Sequence, residues 1–280
     1  MKKLPEGNNK EGIRMTQIEK LQKLNNYLLS EMPQYRQQAA ELDNDEASQF
    51  RLFRSLVNVR MPKEASREFL DLQDDFLHMA IREKEVIYPK MLRPVSDDLF
   101  LWQGDITTLA ADAIVNAANS GMLGCFCPCH GCIDNAIHTY AGVQLRLSCA
   151  ELMKNQGYEE PTGQAKITPA FNLPSNNVIH TVGPIVSGCL TDKDCELLAS
   201  CYYSCLTLAD KYSCESIAFC CISTGEFHFP NDRAAEIAIN TVRKYKIDNS
   251  SKIKVIFNVF KKFDYDIYRD LLGKYSKAEK

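Results

Sequence analysis

The sequence predicts an α/β fold: a largely parallel or mixed sheet covered on both faces by helices, preceded by an N-terminal helical region. Three observations predict it. Beyond Pro94, short apolar runs of β type alternate with helical stretches, the pattern of a buried sheet crossed by helices. Up to residue 95 only Gly7 and Gly12 interrupt the chain, and apolar residues recur at helical spacing. The 280 residues are 45% hydrophobic and 25% charged, which excludes wholesale disorder and allows one large or two modest units. We therefore divide the chain into a helical region, 1–95, and an α/β domain, 96–280.

In the helical region Ile18, Leu21, Leu24 and Leu28 share one face, as do Phe53, Leu56 and Val57, and then Phe69, Leu72, Phe76, Leu77 and Ala80. Asn44 or Asp45 is placed to cap the second helix, and Pro62 suits the first turn of the third. Packing rather than chemistry is expected of these helices. In the second part, strands are expected at 99–102, 113–116, 165–169, 178–181, 217–222 and 253–259. Helices are expected at 133–155, 194–212, 232–245 and 265–274.

Composition excludes several functions. A net charge of −3 leaves no basic excess to hold a nucleic-acid backbone. No run of about 18 apolar residues is present to span a membrane. The opening MKKLPEGNNKEGIRM lacks the apolar region of a secretory signal. Twelve cysteines are unusual, but none precedes Cys125 and four fall between Cys125 and Cys132. That clustering is not a disulfide framework; it points to a reduced, cytoplasmic protein with one cysteine-centred site, the other eight being mostly small packing residues. Cys201 and Cys205 share a helix face, and with Cys189 and Cys195 they read as structural.

Ligands of open α/β sheets collect at the carboxyl ends of the strands, so the loops there carry the chemistry. Asp105, after Gln103-Gly104, can accept from an amino group such as that of adenine, or cap the turn that follows. Asn116 and Asn119, with only alanines between, can reach ligand hydroxyls, or form a turn by side-chain bonding to backbone. Ser223-Thr224-Gly225-Glu226-Phe227-His228-Phe229-Pro230 leads from a strand into a helix. Its N–H groups can cradle a phosphate, and Phe227 and Phe229 can pack on a sugar or base. Neither a P-loop nor a dinucleotide fingerprint is present.

The sharpest feature is Cys125-Phe-Cys127-Pro-Cys129-His130-Gly-Cys132-Ile133-Asp134. Thiolates and an imidazole this close can converge on Zn²⁺. Without a second cysteine pair at zinc-ribbon spacing, three protein ligands and an open position suit the segment better than a closed structural site. Reduced thiols without metal, or a redox pair such as Cys129 and Cys132, are the alternatives.

Taken together, Gly104-Asp105-Ile106, Asn116-Ala-Ala-Asn119, Ile133-Asp134 through Ile137-His138, Val178-Ile-His-Thr-Val-Gly-Pro184 and Ser223-Thr-Gly225 through Phe229-Pro230 resemble the macrodomain family, in its order, over roughly residues 98–270. The segment Gly121 to Cys132 stands where common hydrolytic macrodomains carry a glycine run, and here the chain looks like the zinc-dependent bacterial macrodomains, which also carry an N-terminal helical region. The resemblance implies a mixed sheet sandwiched between helices, an ADP-ribose cleft, and removal of mono-ADP-ribose from protein side chains, with Asp or Glu linkages favoured. It implies one Zn²⁺ per chain on Cys125, His130 and Cys132, with Cys127 and Cys129 as bystanders. Asp105 and Ile106 would hold the adenine, and Ser223, Thr224, Gly225, Glu226 and Phe227 the diphosphate. Asn119 and Asp134 would face the distal ribose as catalytic residues, with Asn116 and Phe229 as further substrate contacts. ADP-ribosylated protein is the expected partner and ADP-ribose the expected product. A non-catalytic ADP-ribose reader with a structural zinc is the alternative, and a thiol-based sensor on Cys127 or Cys129 the third reading.

Overall fold

The computed structural model describes residues 15–96 and 98–278, with side chains to 274. Residues 1–14 of the stretch read for a secretory signal lie outside them. Helix α1 (Gln17–Glu31) is started by a Thr16–Glu19 capping box, and α2 (Arg36–Ala40) is one short turn. Asp45 caps α3 (Glu46–Val59) by accepting from Ser48 N–H. Helix α4 (Arg67–Glu83) is capped by Ser66 and not begun by Pro62, which lies in the preceding link; a Ser hydroxyl that satisfies an orphan N–H decides the start. The expected apolar faces are the buried ones: Leu21, Leu24 and Leu28; Phe53, Leu56 and Val57; Phe69, Phe76 and Leu77.

Seven strands form one mixed sheet: β1 (Pro94–Ser96), β2 (Leu99–Gln103), β3 (Ala113–Ala118), β4 (Ala165–Pro169), β5 (Asn177–Val182), β6 (Ser216–Phe219) and β7 (Lys254–Val259). Their order is β1-β2-β7-β6-β3-β5-β4, with only the edge strands antiparallel to their neighbours. β1 straddles the division drawn at residue 95. Helices α5 (Ile133–Ala141), α6 (Val143–Gln156), α7 (Asp192–Lys211), α8 (Asn231–Asp248) and α9 (Lys262–Ala278) cover the sheet. The single helix expected over 133–155 is two, because Gly142 sits at φ +91° and a Cβ there would come within 2.5 Å of Gln73 Nε2. The strand expected to reach residue 222 stops at Phe219.

One apolar core runs from Leu21, Leu28 and Phe53 of the helical region into Ile137, Ile179 and Ile256 of the α/β part. Five cysteines (149, 201, 205, 214 and 220) are buried, whereas Cys189 is exposed and does not pack. None of the helices among the described residues is long and apolar enough to cross a membrane.

The five parallel strands all end at one edge. β3 pairs with β5 along its whole length, Ala113↔Asn177 to Ala118↔Val182, but with β6 only at Ala113↔Ile217 and Ile114↔Ala218. The sheet therefore parts between β3 and β6. Ala117 and Ala118 on one side and Cys220 and Cys221 on the other open into a crevice.

Candidate active site

The crevice is a cleft of about 1110 Å³. Of the site residues expected from the sequence, it is lined by Asp105, Ile106, Asn119, Cys125, His130, Cys132, Asp134 and the loop Ser223 to Phe227. Asn116 and Phe229 do not reach it. Asn116 is fully buried, its amide spent on Asp134 and His180, and Phe229 is 1% exposed.

At one end Asp105 caps the turn Ile106–Thr108, accepting from Thr107 N–H at 3.0 Å and Thr107 Oγ1 at 2.6 Å. Its other oxygen meets Lys84 Nζ at 2.9 Å. Burial works to raise its carboxyl, but the Thr107 bonds and the Lys84 ammonium hold it below the usual carboxylate range. The capping and the cleft-lining readings of Asp105 thus hold together. Phe260, 74% exposed just past the carboxyl end of β7, also lines the cleft.

The middle of the cleft is the loop after β6. Its conformational cost lies at Ser223, φ +64°, and His228, φ +55°, not at Gly225, where an added Cβ would meet nothing. Gly183 is what permits the loop's approach: a Cβ there would lie 2.0 Å from Ser223 Oγ. Thr224, His228 and Phe229 donate their N–H groups to Cys221, Gly225 and Ser223 carbonyls. Among the described residues, those of Gly225, Glu226 and Phe227 donate to no backbone carbonyl. The cleft lining stops at Phe227, short of the α8 N-terminus.

The far end gathers the cysteine loop and the start of α5. Asn119 forms the expected side-chain turn, Oδ1 accepting from Gly121 N–H at 3.1 Å while Nδ2 donates to the Gly124 carbonyl at 3.1 Å. Cys125 Sγ, one His130 ring nitrogen and Cys132 Sγ lie within 4.8 Å of one another. Cys125 Sγ is 3.6 Å from His130 Nδ1, and His130 Nε2 is 3.6 Å from the Glu226 carboxylate. Burial, with Cys125 and Asp134 close by, pushes the Cys132 thiol up to about 12, although Asn135 N–H, donated to its sulfur at the helix start, acts against it. Two sulfurs and an imidazole this close, beside a carboxyl, form a donor set that a divalent cation neutralises; the residues fit zinc.

Asp134 is 5% exposed and accepts from Asn116 Nδ2 at 2.7 Å. Burial pushes its carboxyl up to about 6, against the Asn116 bond and the Arg146 charge. Beneath it Asn116 Nδ2 lies 3.2 Å from His180 Nδ1, and His180 Nε2 lies 2.9 Å from Thr168 Oγ1. An amide nitrogen only donates, so Nδ1 accepts and the proton of neutral His180 sits on Nε2. His138 and Cys149 lie close enough to His180 to suggest a second ligand trio. His180, however, has both nitrogens committed, which leaves that group incomplete.

Burial lowers His180 to about 4, and burial, with His180 and Arg146 nearby, holds His138 well below the usual histidine value. An unfolded histidine takes up its proton near 6.5, so stability is full above that pH and falls as pH drops toward 4. For His180 alone the loss amounts to about 3 kcal/mol. Urea unfolding between pH 7 and 4.5 should show it, and His180→Asn should flatten the slope by about one proton. An unchanged slope refutes the assignment.

The sequence reading missed Arg54 of α3 and Lys84 after α4, both of which line the cleft. The helices expected only to pack therefore supply part of its wall. No local pattern marks either residue. Phe260 was findable, since it follows a strand's carboxyl end like the loops that were read.

A family model for the Macro domain matches residues 115–238. A protein-ADP-ribose hydrolase of Treponema medium is 56% identical over 263 residues, covering 92% of this chain and all of its own length. The chain belongs to the macrodomain family. A protein-ADP-ribose hydrolase of Staphylococcus aureus is 51% identical over 80% of this chain and 84% of its own. Among solved structures, the Oceanobacillus iheyensis macrodomain with ADP is 38% identical, with a TM-score of 0.60 over 67% of this chain and 97% of that one. The Trypanosoma brucei macrodomain in complex with ADP-ribose is 30% identical, with a TM-score of 0.60 over 79% and 95%. The mixed sheet flanked by helices is thus a macrodomain sheet, and the crevice at its parting strands is this macrodomain's candidate site.

Proposed function

We propose that this macrodomain is a protein-ADP-ribose hydrolase that releases mono-ADP-ribose from Asp or Glu side chains, with zinc held by Cys125, His130 and Cys132. The observation that carries the reading is the meeting of these three donors with Asp134 and Asn119 in one cleft of about 1110 Å³, roomy enough for a dinucleotide-sized ligand. The curated relatives bear the matching name along most of the chain.

In this reading Asp105 accepts the adenine amino group beside Ile106, and Phe260 flanks the base. Gly225, Glu226 and Phe227 N–H groups take the diphosphate, a use of backbone that costs no charge. Zinc, when bound, supplies Lewis acidity at the distal ribose. Asp134 orients the attacking water and receives its proton as the water oxygen bonds to the anomeric carbon and the bond from that carbon to the side-chain oxygen breaks. An Asp or Glu side chain so displaced leaves as a carboxylate without needing a proton, which is why a site with one buried carboxyl suits that linkage best. Asn119, its amide already tied to the loop, fixes the loop against the ribose.

Hydrolysis of carboxylate-, serine- and arginine-linked substrates, before and after chelation, tests the reading. Release should be fastest from the carboxylate-linked protein, disappear once zinc is stripped, and return on adding zinc. Undiminished release from a verified zinc-free chain overturns the metal assignment. Tight ADP-ribose binding with no release from any linkage favours the reader instead.

A further inference from the structure

The segment from Gly121 to Cys132 holds no regular structure, and Met122, Gly124 and Cys129 in it sit at φ +60°, +82° and +53°. Such a chain keeps ligand atoms in place only when something outside pins it. Asn119 and Arg146 hold its first half, at the Gly124 and Leu123 carbonyls, and the pins around His130 come from α3. Arg54 Nη2 donates to the His130 carbonyl at 2.8 Å, and Nε and Nη2 donate to Asn135 Oδ1 at 3.0 and 2.8 Å. Asn135 passes the constraint on, donating to the Cys127 carbonyl at 3.0 Å.

One helical turn later on the same face, Asn58 Oδ1 accepts the Cys129 N–H at 2.9 Å while its amide donates to Thr139 Oγ1 at 3.1 Å. Asn58 is 1% exposed, so water does not compete for these bonds. The backbone is thereby held on both sides of the His130 Cα, at the preceding N–H and at its own carbonyl. Those two anchors leave the imidazole little freedom beyond its own side-chain rotation.

We propose that α3, though part of the N-terminal helical region, is a positioning element of the metal centre, with Arg54 and Asn58 directing His130 toward Cys125 and Cys132. The inference rests on reading those three residues as the metal ligands. The guanidinium matters beyond its charge, because Nη2 donates to both acceptors while Nε adds a second bond to Asn135 Oδ1, which fixes the plane of the group. A lysine at 54 keeps the charge but has neither the Nε donor nor the fixed plane.

The test uses the full chain, stripped of metal and titrated with zinc against a chromophoric chelator. Arg54→Ala and Asn58→Ala should each weaken zinc binding about ten- to a hundred-fold, the usual effect of removing a group that orients a ligand. Arg54→Lys should fall between Arg54→Ala and the unaltered chain. Arg67→Ala, an exposed ion pair on α4, serves as the control and should leave zinc affinity unchanged. For Asn58→Ala, which lies outside the cleft lining, kcat should fall while KM and ADP-ribose affinity stay within about three-fold, and the metal-free variants should melt within a few degrees of the metal-free parent.

Zinc affinity in Arg54→Lys and Asn58→Ala equal to that of the parent overturns the positioning role while leaving the ligand set intact. Loss of ADP-ribose affinity in step with zinc affinity in Asn58→Ala also overturns it, since it marks a general collapse of the cleft. A parent chain that takes up no zinc sinks the ligand reading itself, and this inference with it, so the two failures are told apart in one titration.

Discussion

Replacing Asp134 by asparagine is expected to lower kcat by about 10²–10⁴-fold, the range of a lost general base, while ADP-ribose still binds within a few-fold of its original affinity. The geometry makes this a clean substitution. Asn116 Nδ2 donates to Asp134 Oδ1, and an asparagine there offers an oxygen at the same place. Volume and the α5 start are kept; only the charge and the basic oxygen go. A carboxylate that is 5% exposed also carries a desolvation cost, so Asp134→Asn should melt no lower than the parent. Single-turnover release from an ADP-ribosylated protein, together with calorimetry of ADP-ribose binding, checks it. Retention of more than a tenth of the activity removes Asp134 from the chemistry and leaves it a structural partner of Asn116.

Asp134 also illustrates what the sequence makes legible. It stands at the start of α5 beside the cysteine loop, in a motif of adjacent residues, and such motifs are local: the loops after β2, β3 and β6 are likewise legible from a few adjacent residues, and each lines the cleft. Strand positions are legible for the same reason, since β5 and β7 are short runs rich in buried apolar residues. The readings that failed depended on something distant. Asn116 has the spacing from Asn119 of a ligand contact, but its amide is spent on Asp134 and on a histidine 64 residues away. Gly142 splits a helix because Gln73, in a different helix, stands against it. The strained residue of the loop after β6 is Ser223 rather than the glycine, because the chain passes over Gly183. Arg54 and Lys84 carry no signal of their own; their positions follow only from how the helical region docks.

The docking hinges on one buried cation, which gives the largest stability effect we expect. Arg146 of α6, 5% exposed, donates Nε to the Leu123 carbonyl at 2.7 Å and Nη1 to the Val57 carbonyl at 2.9 Å and to that of Arg60. Val57 and Arg60 lie at the end of α3, where carbonyls have no partner within the helix and the helix dipole is negative. The guanidinium carbon also lies 4.4 Å from the Phe126 ring centre, in the cysteine loop. Burial pushes its pKa down to about 10, so the charge survives at neutral pH. Arg146→Ala therefore leaves three carbonyls unpaired where helical region, loop and sheet domain meet. It should cost about 3–5 kcal/mol, lowering the melting temperature on the order of 10 °C. Arg146→Lys should recover only part, because one ammonium cannot span carbonyls from two segments in the guanidinium's plane. Denaturant unfolding of both variants decides the matter. A loss below about 1 kcal/mol in Arg146→Ala would mean that water reaches the end of α3, and that the helical region is held by its apolar face alone.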